Sequence, residues 1–321
     1  MHHSNNGPHH ERQSMQFDPS ADPGKPVDTS SRVGQYFEQT RDTVLVRRAG
    51  GGLYQYQQAA FEASAYGNHI ADMLLAAMMS EHAYGGELSR DAAELSGHFN
   101  QKLEAAQCTR LVYHPPSDHD ANAYIPGLYF EFWKSPLTRN VFVAFRGSTL
   151  RWGDWTSNFR AVTRFFRDRG DHYDQLAALL PSIDGFLTPF VEEGYTVTAT
   201  GHSLGGGLAQ HLAYSSTQVA RALVFDPSPV TGWFDIDPSL RDRATRALYV
   251  ARISEKGEIL ATVRNTIRKF VPLSDNAPQI EEFRVNFLID GIDSLQQHSI
   301  AKLAEQLVEA LGSHLPTPKG P

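Results

Sequence analysis

Short apolar runs alternate with longer amphipathic segments along most of the chain. Runs rich in β-branched and aromatic residues predict strands, and apolar residues spaced three or four apart predict helices. The predicted strands are 109–114, 127–133, 141–145, 195–200, 222–225, 247–253 and 283–288. The predicted helices are 54–84, 93–106, 171–193 with interruptions at Pro181 and Pro189, a helix after Gly207, and 294–311. Strands that alternate with helices predict the α/β fold class, with a mainly parallel central sheet and helices on both faces.

The two ends of the chain differ in composition from the middle. Residues 1–31 are polar and rich in His, Pro, Asp, Ser and Gly, which predicts a disordered tail. Residues 40–312 contain no internal repeat and no clear linker, so we expect a single domain there. Residues 313–321 are expected to form a loose C-terminal tail.

Composition excludes several classes of protein. The chain has 321 residues, 41% of them hydrophobic, and a core of that size needs no disulfide or metal to hold it. The net charge of −7 argues against a nucleic-acid partner. No apolar run reaches membrane-spanning length, and no apolar segment near the N-terminus resembles a signal peptide. We therefore expect a cytoplasmic location, with export by a leaderless bacterial secretion route as the alternative.

The sequence Gly-His-Ser-Leu-Gly at 201–205 lies between a predicted strand and a predicted helix. This context predicts a nucleophile elbow with Ser203 at the tip of a sharp, strained turn. Gly201 and Gly205 would remove side chains that otherwise collide with that turn. The backbone N–H of Leu204 would then face the position of a developing oxyanion.

A serine becomes a useful nucleophile when a base accepts its proton and an acid orients that base. In hydrolases with this elbow the chain order is serine, acid, histidine. His298 follows the last predicted strand near the start of the last helix, so it is the candidate base. Glu258, in a Gly-Glu-Ile-Leu turn after the preceding strand, is the first candidate acid, with Asp226 as the alternative and Glu255 third.

The remaining candidates concern the oxyanion and the substrate. Ser148 follows a central apolar strand and would supply a second oxyanion donor. Large aromatic residues follow both this strand and Asp226, and they are candidates for a lid or an acyl-binding wall, with core packing as the alternative. They are Trp152, Trp155, Phe159, Trp233 and Phe234. Four arginines between them and the next helix could bind a phosphate headgroup or form a solvated surface: Arg160, Arg164, Arg167 and Arg169.

Two segments resemble a known family. The sequence VFVAFRGSTLRWGDWTSNF at 141–159 resembles the F-R-G-[ST]…D-W…N signature of class-3 lipases, the fungal triacylglycerol-lipase-like branch of the α/β-hydrolases. GHSLGGGLA at 201–209 is similar to the elbow of that family, and the helix ending MLLAAMMSEHAY resembles that of bacterial members. The resemblance implies an α/β-hydrolase fold, with Ser203 as nucleophile, His298 as base, and Ser148 and Leu204 as the oxyanion hole. The family acid is normally Asp, and this chain has Glu258 in the corresponding turn.

The resemblance implies hydrolysis of lipid carboxylic esters, as a lipase or phospholipase A, through an acyl-enzyme and without a metal or organic cofactor. The expected partner is a lipid or phospholipid at a membrane or micelle surface. Two alternatives stay open: an esterase of small non-lipid esters, and a non-catalytic α/β-hydrolase scaffold used for binding.

Overall fold

The computed structural model describes residues 23–27, 39–49, 52–85, 90–114, 128–147, 169–257, 278–287 and 299–318. The strands within these ranges are β1 (Lys25–Pro26), β2 (Thr43–Arg47), β3 (Leu53–Gln57), β4 (Thr109–Leu111), β5 (Phe130–Ser135), β6 (Asn140–Phe145), β7 (Thr196–His202), β8 (Arg221–Phe225), β9 (Tyr249–Glu255) and β10 (Gln279–Val285). The α-helices are α1 (Gln58–Ala63), α2 (Ile70–His82), α3 (Arg90–Ala105), α4 (Arg169–Glu192), α5 (Leu204–Ser215), α6 (Pro238–Thr245) and α7 (Ile300–Leu311).

All of the described strands join one sheet, in the order β1-β3-β2-β10-β9-β8-β7-β6-β5-β4. The five central strands, β6 to β10, are parallel and lie side by side in chain order. Antiparallel strands extend the sheet at both sides, with β2 paired to β10 and β5 paired to β6. The carboxyl ends of the parallel strands therefore meet at one edge of the sheet, where ligands of open α/β sheets bind.

Hydrophobic cores lie on both faces of the sheet. Side chains alternate along β6, so that Phe142 belongs to one core while Val141 and Val143 belong to the other. The first core includes apolar side chains of α2, α3 and α7, and the second includes those of α4 and α5. The prediction of an α/β protein with helices on both faces of its sheet is confirmed. The sheet is mixed rather than mainly parallel, because antiparallel strands flank the parallel centre on both sides.

The predicted helix over 54–84 is wrong in its first part. Leu53–Gln57 is strand β3, which pairs with β2, and neither strand was predicted. Helix α1 begins only at Gln58, and α2 begins at Ile70 after a short 3-10 helix over Ala65–His69. Pairing across the sheet, which a local pattern of Tyr and Gln cannot show, decides the structure of this segment.

The prolines of α4 do not interrupt it, contrary to the prediction. The helix runs continuously through Pro181 and Pro189. Both prolines are exposed, and so are Ala177 and Gly185, whose carbonyl groups lose a helical partner at these positions. Water can therefore satisfy these carbonyl groups.

Short parts of both terminal segments contact the rest of the described structure. Lys25 and Pro26, inside the predicted disordered tail, form the edge strand β1 against β3. After α7, Gly312–His314 form a 3-10 turn, and the imidazole of His314 contacts the carboxylate of Glu62 at 3.1 Å. The first residues of the predicted C-terminal tail are therefore docked on the domain.

Candidate active site

The backbone turns sharply between β7 and α5, with Ser203 at the turn. Ser203 has φ 56° and ψ −120°, a conformation that costs a non-glycine residue free energy and needs support from its surroundings. That support includes two backbone hydrogen bonds. The Ser203 N–H donates to the carbonyl of Phe225 at 3.1 Å, and the Ser203 carbonyl accepts from the N–H of Ser228 at 2.8 Å. The strained elbow predicted from the sequence is present.

Two glycines make this turn sterically possible. A Cβ atom on Gly201 would lie 2.5 Å from the carbonyl carbon and oxygen of Gly205. A Cβ atom on Gly205 would lie 2.3 Å from the carbonyl oxygen of Phe145, at the end of β6. The turn therefore packs backbone against backbone, and any side chain at these two positions would force it apart.

Leu204 is the first residue of α5. The N–H groups of the first helical turn have no partner within their own helix, and the helix dipole adds partial positive charge there. Ser203 is 3% exposed, so the nucleophile candidate is buried rather than on an open surface. An oxyanion formed at Ser203 would lie beside the amino end of α5.

Two buried carboxylates lie at the same edge of the sheet. Asp226 directly follows β8, the neighbour of the elbow strand, has a backbone φ of 38° and is fully buried. Its N–H donates to the carbonyl of Ile253 at 2.8 Å. Glu255 is the last residue of β9 and is 1% exposed. The described residues therefore bring Ser203, Leu204, Asp226 and Glu255 to one edge of the sheet.

Several sequence-predicted residues lie outside the described residues. They are Ser148, Trp152, Trp155, Phe159, Arg160, Arg164, Arg167, Glu258 and His298. Two of them directly adjoin described residues. Gly147, at the exit of β6, precedes Ser148, and Ser299, which caps α7, follows His298. The roles of these residues stay predictions.

Trp233 and Phe234 lie on the loop between β8 and α6. The ring of Trp233 packs edge-on against Tyr214 at 4.8 Å, and the guanidinium of Arg241 lies 4.6 Å from its centre. Tyr214 is near the far end of α5, about 16 Å along the helix from Ser203 at 1.5 Å per residue. Phe234 is 80% exposed. Because Trp233 packs at the far end of α5, its contacts favour a role in core packing over contact with a substrate at Ser203.

Sequence reasoning missed a tyrosine behind the elbow. The hydroxyl of Tyr84, just after α2, lies 2.9 Å from Nδ1 of His202 and also accepts a hydrogen bond from the backbone N–H of Gly147. Tyr84 is 4% exposed, and burial raises the pKa of its hydroxyl, so this group stays protonated. The sequence contained one hint of Tyr84, because it ends the helix that resembles the family, but that resemblance assigned no function to the tyrosine.

A buried carboxylate on β5 was also missed. Glu131 accepts hydrogen bonds from Tyr129 at 2.6 Å, Trp133 at 3.1 Å and Arg110 at 3.1 Å, and its other contact is His82 Nδ1 at 2.8 Å. Burial alone would raise the pKa of Glu131, but these hydrogen bonds and the charge of His82 outweigh it and hold the pKa at about 2. This network joins β5 to the end of α2, two residues before Tyr84.

No helix in the described parts of the chain combines the length and the hydropathy needed to cross a lipid bilayer. Among the described side chains, no group of three or more His, Cys, Asp or Glu residues could hold a metal ion.

Comparisons with known proteins give one sequence relative and several distant structures. No protein-family model matches the chain. The chain is 27% identical over 240 residues to an extracellular phospholipase A1 of Serratia liquefaciens, covering 69% of each protein. The expectation of a cytoplasmic location is wrong in the light of this relative, which is an extracellular protein.

Among solved structures, the chain is similar to a lipase from Rhizopus microsporus var. chinensis, with a TM-score of 0.40 and 15% identity over 72% of this chain and 85% of the lipase. It is also similar to a triacylglycerol lipase from Penicillium expansum, with a TM-score of 0.37 and 16% identity over 68% of this chain and 80% of that one. Lipase II from Rhizopus niveus gives a TM-score of 0.36 at 16% identity, covering 65% and 77% of the two chains.

Proposed function

We propose that this protein hydrolyses carboxylic esters of lipids, as a lipase or phospholipase A, with Ser203 as its nucleophile. The observation that carries the proposal is the conformation of Ser203, at φ 56° on a turn that two glycines make possible. Strained backbone of this kind persists where function requires it, and a strand–serine–helix turn is the nucleophile arrangement of α/β-hydrolases. The extracellular phospholipase A1 relative supports a lipid ester as substrate.

In the proposed mechanism His298 accepts the Ser203 proton as the serine oxygen attacks the ester carbonyl carbon. The N–H groups of Leu204 and Ser148 stabilise the oxyanion of the tetrahedral intermediate, and each such donor is typically worth about 3 kcal/mol of barrier. His298 then gives the proton to the leaving alcohol, which leaves an acyl group on Ser203. Water attacks this acyl-enzyme by the same route and releases the fatty acid.

Glu258 remains our first proposal for the acid that orients His298, because the resemblance aligns it with the acid of the family. Asp226 and Glu255 are the alternatives, and both are buried at the edge of the sheet that carries Ser203. Three variants, each of which replaces one carboxylate by an amide, distinguish these candidate acids: Glu258→Gln, Asp226→Asn and Glu255→Gln. We expect Glu258→Gln to lower kcat on the order of 10⁴-fold, the loss typical when a triad acid becomes an amide. A normal kcat for Glu258→Gln together with a collapse in Asp226→Asn would transfer the role to Asp226.

Covalent labelling and a substrate panel test the function itself. A fluorophosphonate should label folded wild-type protein at Ser203 and leave Ser203→Ala unlabelled, because only an activated serine attacks phosphorus. Labelling without hydrolysis of long-chain esters, but with hydrolysis of short soluble ones, would favour the small-ester esterase. Absence of any adduct in folded protein would favour a binding scaffold.

Phospholipid is the proposed substrate class within this function. Two observations support it: the relative from Serratia liquefaciens is a phospholipase A1, and four arginines at 160–169 could bind a phosphate. Vesicles of phosphatidylcholine and emulsions of triglyceride, each assayed for released fatty acid, distinguish the two. Faster release from triglyceride at equal surface area would reject phospholipid as the preferred class.

We propose secretion as the location, on the basis of the same relative. Activity measured separately in culture medium and washed cells of the producing organism tests it, and activity confined to the cells would contradict it.

A further inference from the structure

Tyr84 lies where three parts of the fold meet behind the elbow. Helix α2 contacts the central strands β6, β7 and β8 and ends two residues before Tyr84. The tyrosine hydroxyl reaches the last residue of β7, His202, and the residue at the exit of β6, Gly147. These two residues directly precede the proposed nucleophile Ser203 and the proposed oxyanion residue Ser148.

The Tyr84 hydroxyl and the elbow backbone pack so closely against Gly147 that no side chain would fit there. A Cβ atom on Gly147 would lie 2.1 Å from the Tyr84 hydroxyl oxygen and 2.7 Å from the carbonyl oxygen of His202. Gly147 therefore allows the β6 exit to approach both the tyrosine and the backbone of the elbow. The hydroxyl oxygen sits between two backbone segments that belong to different strands.

The Tyr84 hydroxyl makes hydrogen bonds to both neighbouring segments. A tyrosine hydroxyl donates one hydrogen bond and accepts others. Because its oxygen accepts from the Gly147 N–H, its proton is available for Nδ1 of His202, 2.9 Å away. Nδ1 of His202 accepts this hydrogen bond in the tautomer that carries its proton on Nε2. His202 is 2% exposed, so the contact is buried.

Oxyanion stabilisation is sensitive to the spacing of its donors. The donors must lie about 2.7–3.1 Å from the oxyanion, and errors of about 0.5 Å weaken a preorganised site. One proposed donor, Leu204 N–H, follows His202 by two residues, and the other, Ser148 N–H, follows Gly147 directly. A group that ties Gly147 to His202 therefore controls the distance between the two donors.

We propose that Tyr84 is a positioning residue that sets the spacing of the oxyanion hole by holding the exit of β6 against the elbow. This inference rests on the proposed ester hydrolysis at Ser203. Tyr84 does not touch the substrate in this role. It acts through Gly147 and His202.

The variant Tyr84→Phe tests the inference because it keeps the ring and removes the hydroxyl. We expect kcat on a soluble short-chain ester to fall about tenfold to a hundredfold, somewhat less than the loss of a whole oxyanion donor. KM should change less than about twofold, because donor spacing matters in the transition state and not in the bound substrate. The affinity for a boronic acid, which mimics the tetrahedral intermediate, should fall by the same factor as kcat.

Tyr249→Phe is the matched control. The hydroxyl of Tyr249 is also buried and donates to a protein group, Glu281, at 3.0 Å, but it lies at the first residue of β9, at the other end of the sheet. We expect this variant to lower stability and to leave kcat unchanged. Equal losses of kcat in both variants would overturn the inference, because the loss would then follow from any missing buried hydroxyl.

Two variants of His202 keep the inference testable should Tyr84→Phe fail to fold. His202→Asn retains a polar atom near the position of Nδ1 and should keep most of kcat, whereas His202→Ala should lose about as much as Tyr84→Phe. Equal kcat in the Asn and Ala variants overturns the inference. Failure of the proposed function looks different: wild type would then show no hydrolysis and no fluorophosphonate adduct. With an active wild type and an inactive Ser203→Ala, unchanged kcat in folded Tyr84→Phe overturns the inference alone.

Discussion

Single residues carry most of the argument for a catalytic serine. Ser203 keeps a left-handed backbone because glycines at 201 and 205 let three backbone segments meet around it. Both glycines were predicted from the motif. The collision at Gly201 is with Gly205, within that motif, whereas the collision at Gly205 is with Phe145, at the end of β6. The neighbouring Gly207 has a less local reason, because a Cβ atom there would lie 2.6 Å from the hydroxyl of Tyr173, on α4.

Gly205→Ala tests the steric requirement. Its Cβ atom would lie 2.3 Å from the Phe145 carbonyl oxygen, so β6 and the elbow must move apart. We expect ester hydrolysis to fall at least about a hundredfold, because a displacement near 1 Å costs that much in a positioned site. Overpacking should also lower the free energy of unfolding by about 1–3 kcal/mol, measured by urea titration.

Gly185→Ala is the control, since no atom lies within 4 Å of its Cβ position in the middle of α4. It should raise the free energy of unfolding by about 0.5–1 kcal/mol through helix propensity and keep full activity. An active, stable Gly205→Ala protein would contradict the described packing at the elbow.

The limit of sequence reasoning is clearest for Tyr84 and Glu131. Tyr84 meets His202 across 118 residues, and His82 meets Glu131 across 49. A tyrosine and a glutamate at these positions have no local signature, because their partners are set by how α2 packs on the sheet. The candidate nucleophile was predictable from a contiguous motif, whereas the groups that support it were not.

At the scale of elements, one carboxylate on β5 contacts both α2 and β4. Glu131 is 6% exposed, and its partners are His82 on α2, Arg110 on β4, Trp133 on β5 and Tyr129 just before β5. Single strands and helices were predictable where the periodicity was strong, as in β6 and α7. The segments β2 and β3 were not, because their strand structure depends on pairing with each other and with β10.

Glu131→Gln should lower the free energy of unfolding by about 3 kcal/mol at pH 7, since one pKa unit corresponds to about 1.4 kcal/mol. The pKa of Glu131 in the folded protein is about 2, below its ordinary value of 4.5. Folding therefore favours the charged form, so this stability is present above pH 4.5 and is lost as the pH falls toward 2. Urea titrations of both proteins between pH 7 and pH 3 should show the difference shrinking.

Glu282→Gln provides the comparison for that series. Glu282 pairs with Arg47 at 3.5 Å, and both side chains are about a quarter exposed. Pairs of this kind contribute at most about 1 kcal/mol, so the loss should be small at every pH. If both variants lost the same free energy of unfolding, the hydrogen bonds of Glu131 would stabilise the protein no more than a surface ion pair does.

At the scale of the whole molecule, a second buried carboxylate, far from Glu131 in the sheet order, has its pKa shifted in the opposite direction. Glu281, near the start of β10, accepts hydrogen bonds from Tyr249 at 3.0 Å and Tyr66 at 3.3 Å. Burial raises the pKa of Glu281, and the two hydroxyl groups offset this only in part. The fold as a whole therefore stabilises one carboxylate in its charged form, Glu131, and another in its protonated form, Glu281.

Glu281→Gln should become more stable relative to wild type as the pH rises. Because the pKa of Glu281 is raised in the folded protein, its contribution to stability is fully present below 4.5, its ordinary value, and is lost as the pH rises through the folded value. The amide has no charge to bury at any pH. Unfolding midpoints in urea at pH 4, 5.5 and 7.5 should therefore diverge in favour of the variant, and a constant difference would contradict the prediction.

The overall class of this protein was predictable from the order of its elements, but the way the chain closes on itself was not. Val44 on β2 pairs with Val285 on β10, and α2 packs against α7. Nothing in the local pattern joins segments so far apart in sequence. The sequence therefore predicts which layers exist and leaves open which segments complete them.

The position of α2 has a consequence for how the protein is made. This helix is buried along nearly its whole length, between the sheet and α7, yet α7 comes far later in the sequence. During synthesis the apolar surface of α2 therefore stays uncovered until α7 has emerged from the ribosome. Chains that stop before α7 will expose this surface to chaperones and proteases, so they should not accumulate in a folded form.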